Sequence, residues 1–81
     1  MEKIYRIKID NLFYVKAIMF GASEDEDFIQ FIPTIDITEA GWYPEDKAEF
    51  YCKELNENKK SKEVGLTFQL ERIEWQYNET N

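Results

Sequence analysis

Residues 4–20 read Ile4-Tyr5-Arg6-Ile7-Lys8-Ile9-Asp10-Asn11-Leu12-Phe13-Tyr14-Val15-Lys16-Ala17-Ile18-Met19-Phe20. Within 3–9, Tyr5, Ile7 and Ile9 recur at every second position with Arg6 and Lys8 between them, which predicts a half-buried strand. Asp10-Asn11 supplies turn chemistry, because both side chains hydrogen-bond locally and tolerate positive φ. A second strand over 13–20 follows at once. Phe13, Val15, Ala17 and Met19 share one face, and Tyr14, Lys16, Ile18 and Phe20 the other. Two strands this close in sequence form a hairpin.

Downstream, Gly21–Asp27 reads as a loop whose four successive carboxylates, Glu24, Asp25, Glu26 and Asp27, repel one another and seek water. A third strand is expected over about 28–37, with Ile29, Phe31, Ile35 and Ile37 in one parity. Pro33 has no amide hydrogen, so this strand belongs at an edge or breaks there. Pro44 suits the first position of a helix over about 44–57, and Glu45 and Asp46 suit its positive end. Ala48, Tyr51, Cys52 and Leu55 recur at helical spacing as the stripe that packs on a sheet. Asn56 and Asn58 serve as terminators, with Lys59, Lys60 and Lys62 near the negative end. A last strand is expected over about 64–77. Leu66, Phe68 and Leu70 share one parity and Ile73, Trp75 and Tyr77 the other, so a bulge or strong twist belongs near Glu71-Arg72. The tail 78–81 should fray.

The order β-β-β-α-β defines an α+β fold, a two-layer domain over 1–81 with a mainly antiparallel sheet and one helix on one face. The last strand pairs with the first or the third. Tyr14, Ile18, Phe20 and Trp75 do not all fit beneath one helix, so either apolar surface stays exposed or the sheet curls to cover itself.

The chain has 81 residues, 43% hydrophobic and 16% aromatic, a composition that excludes disorder. It has no histidine and one cysteine, which excludes a disulfide framework and a four-cysteine zinc site. The net charge of −7 disfavours nonspecific attraction to phosphate backbones. Residues 21–57 carry eleven acids and two bases, so the negative excess is central. The termini show no signal peptide, and the apolar run Leu12–Gly21 is too short to span a membrane, so a cytoplasmic location is expected.

Little in the sequence points to catalysis. Cys52 has no histidine to activate it and sits on the apolar stripe, where cysteine behaves as a small hydrophobe. The consecutive acids 24–27 lack the alternation and central glycine of a calcium loop. Gly21, Gly41 and Gly65 are isolated, so no phosphate-cradling loop exists. The chain is expected to be no enzyme and to hold no cofactor or metal. Tyr5, Phe13 and Tyr14 beside Lys8 and Lys16 could stack single-stranded bases, although ordinary sheet packing with charged outer residues explains them better.

Two features are candidates for binding a partner. Glu24, Asp25, Glu26, Asp27, Glu39, Glu45, Asp46 and Glu49 (with Asp36) either imitate a phosphate array or solubilise the chain. Trp42 and Tyr43, beside Gly41, either anchor a partner or cap the core where the chain enters the helix.

The pattern Ile4-Tyr5-Arg6-Ile7-Lys8, turn, Phe13-Tyr14-Val15-Lys16-Ala17-Ile18, then an alanine-containing helix and a closing strand, resembles short domain-of-unknown-function proteins from phages of Gram-positive bacteria. The resemblance runs through nearly the whole chain and brings no catalytic motif. It implies a protein that binds and inhibits or modulates a host nucleic-acid-processing or defence protein through a basic groove. A homodimer formed through sheet edges or exposed aromatics is the alternative, and a single-strand nucleic-acid binder the third.

Overall fold

The structure, a computed structural model, describes residues 3–22 and 27–74. It is an α+β fold with a mainly antiparallel five-stranded sheet and one main helix. β1 (Ile4–Ile9) and β2 (Phe13–Ala22) form the expected hairpin. Asp10 and Asn11 both take positive φ, 51° and 59°, and the Leu12 amide donates to the Ile9 carbonyl at 2.9 Å. Asx residues reach this left-handed region at low cost, which is why the turn forms here.

β3 (Asp27–Thr34) lies at the sheet edge beside β2, as Pro33 demands. It stops at Thr34, short of the expected 37. Thr34 still pairs with Tyr14, but Ile35 beyond it is 78% exposed, and Ile37–Glu39 forms a 3₁₀ turn capped by the Asp36 side chain, which accepts from the Thr38 amide at 2.9 Å. Gly21 and Ala22 extend β2, and Ala22 pairs with Asp27, so the loop is shorter than the expected 21–27. Residues 23–26 lie outside the described part of the chain.

One residue of β2 has no partner. Val15 pairs with Pro33 and Ala17 with Ile32, leaving Lys16 as a β-bulge. A bulge shifts facing by one position. Phe13 and Val15 face the helix before it, and Ile18 and Phe20 face the helix after it, in place of the single parity expected over 13–20.

β4 (Tyr43–Pro44), absent from the sequence reading, pairs with Ile4 and Tyr5. β2 pairs with Lys8 and Ile9 on that same edge of β1, because the opposite edge carries β5 (Phe68–Arg72) in register from Tyr5↔Arg72 to Ile9↔Phe68. The hairpin therefore splays into a fork, and residues 40–44 wedge into it. The Gly41 amide donates to the Val15 carbonyl at 2.9 Å. A Cβ at Gly41 would lie 2.5 Å from the Tyr43 hydroxyl and 3.0 Å from the Lys16 carbonyl, so the close approach requires glycine.

α1 (Glu45–Glu57) follows, with Pro44 as its N-cap and not its first helical residue. Ala48 and Leu55 are buried, and Tyr51 and Cys52 pack partly against the core, as the stripe predicted. α2 (Lys59–Val64) is a second helix that the sequence reading missed. Asn58 ends α1 and caps α2, accepting from the Lys60 amide at 3.0 Å and the Ser61 amide at 3.3 Å. Gly65, at φ 79°, closes α2 in the left-handed region. Val64 is thus helical and β5 begins at Phe68, four residues later than expected. β5 ends at Arg72, where the parity switch was placed. Ile73 extends the pairing by donating its amide to the Ile4 carbonyl at 2.8 Å. Trp75, Tyr77 and the tail 78–81 lie outside the described residues.

Ile7, Val15 and Leu55 are fully buried between sheet and helix, joined by Ile9, Ile29 and Phe68. Each large apolar side chain so buried contributes about 1.5–3 kcal/mol. Phe31 of β3 meets Phe68 of β5 edge-on, with ring centroids 5.2 Å apart. These strands are three spacings apart in the sheet, about 14 Å if it were flat. The sheet therefore curls around the core beneath α1, yet Phe20 is 54% exposed, so curling and exposed apolar surface, the two outcomes weighed from the sequence, occur together.

Candidate functional site

The outer side of α1 is an exposed, charge-rich surface. The helix carries five acids, Glu45, Asp46, Glu49, Glu54 and Glu57, against Lys47 and Lys53. Amphipathic spacing puts Ala48 and Leu55 under the helix and sends Asp46, Glu49, Phe50 and Lys53 outward. Phe50 is 52% exposed and Phe20, delivered to the helix side by the Lys16 bulge, is 54% exposed. Their ring centroids stand 6.3 Å apart. Tyr51 floors the space between them, 5.7 Å from Phe20 and 5.9 Å from Phe50. Tyr43 holds Tyr51 from the core side in an edge-on contact at 5.3 Å. With Asp46 and Lys47 as its wall, this shallow open groove encloses about 310 Å³.

The residues singled out from the sequence are not all together. Glu45, Asp46 and Glu49 share the first two turns of α1. Glu45 is partly engaged: it accepts from the Tyr5 hydroxyl at 3.2 Å and stands 4.0 Å from Lys3 Nζ. Burial, then the hydrogen bond and charge of Glu45, raise the Tyr5 hydroxyl above its ordinary pKa. Glu39 sits apart on the 3₁₀ turn, 3.8 Å from Lys16 Nζ, and accepts from the Thr34 hydroxyl at 2.9 Å. Asp46 and Glu49 are exposed and make no ion pair among the described residues. Asp27 is placed by its backbone at the start of β3. Glu24, Asp25 and Glu26 lie outside the described residues.

Trp42 and Tyr43 divide. Tyr43 faces the helix and its phenol is raised by burial and by Tyr51. Trp42, immediately before β4, is 59% exposed. The anchor pair is thus one core residue and one surface residue. Phe20 was foreseen only as one of the residues that do not all fit beneath the helix, and Phe50 was not foreseen. Phe50 stood off the buried stripe as the sole aromatic among charges, and that was its signal.

The hairpin aromatics also divide. Tyr5 points to α1, while Tyr14 lies on the open face with Arg6 over its ring at 5.7 Å. Glu71 holds both cations of that face, hydrogen-bonding Arg6 and standing 3.5 Å from Lys8 Nζ. Burial lifts the Glu71 carboxyl, but the hydrogen bond and charge of Arg6, with the charge of Lys8, outweigh it and hold the pKa below its ordinary value.

Cys52 donates to the Phe68 carbonyl at 3.4 Å, and burial pushes its thiol up, away from the nucleophilic thiolate. Among the described residues no three cysteine or acidic side chains gather where a metal ion could be held. Among them, too, no helix is long and apolar enough to cross a membrane. No family model, curated protein or solved structure matches the chain.

Proposed function

We propose that the chain is a noncatalytic interaction protein that lays the outer side of α1 into a basic groove of a nucleic-acid-processing or defence protein. One observation carries the reading. Two phenylalanines more than half exposed, Phe20 of β2 and Phe50 of α1, meet at a groove bordered by the exposed Asp46, on a helix with five acids against two lysines. An apolar anchor rimmed by charge is the usual composition of a contact surface. The phage-protein resemblance supplies the target class, and the acidic helix supplies steering toward it. The anchor is Phe20 and Phe50, in place of Trp42 and Tyr43.

Self-association through sheet edges has less support. Asn56 occupies the outer edge of β5, donating to the Phe68 carbonyl at 2.9 Å and accepting from the Phe68 amide at 2.8 Å. Asn58 donates to the Ile29 carbonyl of β3 at 3.5 Å.

The test is a pull-down from bacterial lysate with the immobilised chain and its D46K/E49K variant. A protein retained by the wild type at low salt, released at high salt and missed by the variant is the expected result. If wild type and variant recover the same proteins at every salt concentration, the reading fails.

A further inference from the structure

We infer that the Asn56 side chain is an edge cap, which keeps β5 closed to strand addition and so prevents two copies of the chain from pairing through that edge. This goes beyond the interaction reading above and does not rest on it.

Successive residues of a strand point their backbone groups to opposite sides. The Ile73 amide donates to the Ile4 carbonyl, so Gln69, Glu71 and Ile73 turn toward β1, while Phe68, Leu70 and Arg72 turn their N–H and C=O groups outward. Asn56 meets the first of these as a neighbouring strand would. Its Nδ2 donates to the Phe68 carbonyl at 2.9 Å, and its Oδ1 accepts from the Phe68 amide at 2.8 Å. Cys52 adds a weaker bond to the same carbonyl at 3.4 Å. Among the described residues no hydrogen bond reaches the outward groups of Leu70 or Arg72. An open row of this kind is a template for a second chain.

One capped position is enough because β5 is short. Two copies pairing antiparallel about Leu70 would set Leu70 against Leu70 of the other copy and each Phe68 against the other's Arg72, three rungs in all. That register opposes Glu71 to Gln69, so no like charges face each other. Asn56 holds the Phe68 groups in both copies and so removes the two outer rungs, leaving only the one at Leu70. The next register, centred on Glu71, keeps the rungs between Leu70 and Arg72 but sets the two Glu71 side chains directly opposite, and their like charges oppose it. β3, the other outer edge, is blunted by related means: Pro33 has no amide hydrogen, and Asn58 donates to the Ile29 carbonyl at 3.5 Å.

Sedimentation of the wild type and N56A tests this, in high salt to screen the charge of −7 on each molecule. The wild type should sediment as a monomer up to millimolar concentration, and N56A should dimerise as its concentration rises. Hydrogen exchange at the Leu70 and Arg72 amides of N56A should slow at least about tenfold over the same range. N56A/R72P should return to a monomer, because the Arg72 amide points outward and proline there removes a rung without touching the bonds to β1. N56S, whose side chain is too short to reach Phe68, should behave as N56A does. An N56A that stays monomeric, a dimer that R72P leaves intact, or a dimer without slowed exchange at Leu70 would overturn the inference. So would a wild type that dimerises with the same affinity. If neither N56A nor N56S keeps the wild-type amide spectrum, Asn56 is a determinant of the fold and not a cap, and the inference falls as well.

Discussion

Gly41 shows how little freedom single positions have in the fork. Its Cα faces the Tyr43 phenol and the Lys16 carbonyl, and Tyr43 cannot yield because Tyr51 holds its ring. Gly41→Ala is expected to destabilise the fold by about 1–3 kcal/mol through overpacking, read from urea denaturation midpoints. The double variant G41A/Y43F should recover part of that loss, since removing the hydroxyl relieves the closest contact. Leu55→Ala, at 1% exposure under α1, should cost about 2–5 kcal/mol in the same experiment. Neither residue could be ranked this way from the sequence. Leu55 was legible as core by its spacing, but the crowding at Gly41 arises from chain segments 25 residues apart and leaves no local trace.

Among the elements, legibility followed pattern length. The β1–β2 hairpin and the stripe of α1 stand on several periodic positions each, and both formed as read. β4 has two residues, too few for any period. α2 is polar on nearly every side, so it offered no stripe, and its lysines read equally well as cations at the end of α1. The Lys16 bulge was hidden because β2 is apolar in both parities, so either facing satisfied the pattern, and Phe20 could not be assigned to the groove. Asn56 was read as a terminator, yet its amide acts as a substitute strand on β5. Asn56→Ala removes both bonds at a half-buried site and should cost about 1–3 kcal/mol. Hydrogen exchange at the Phe68 amide should quicken by more than at Leu70. Equal acceleration at both would mean that the clamp is not local.

At the scale of the whole molecule, three carboxylates link stability to acid. Asp10 accepts from the Thr67 hydroxyl at 2.7 Å and the Thr67 amide at 2.9 Å, tying the hairpin turn to the entry of β5. Those bonds hold its pKa below the usual 3.8, as Thr38 does for Asp36, and Glu71 is lowered from 4.5. A folded-state pKa below the unfolded one favours the native state above the unfolded value and loses that contribution as pH falls through the folded value. Stability should therefore decline below about pH 4.5, and D10N/E71Q should flatten that decline when melting is followed from pH 7 to pH 3. An unchanged slope would assign the acid response to other groups.

β1 stands at the centre of this arrangement, with β2 and β4 on one side and β5 on the other. During synthesis β1 is made before all of its partners, and β5, which pairs with five of its residues, is made after the others. A nascent chain can close the hairpin early, but β1 must wait with one edge bare until β5 has left the ribosome. Native pairing is consequently slow to nucleate, and a chaperone that covers a single open strand would have its best opportunity in that interval.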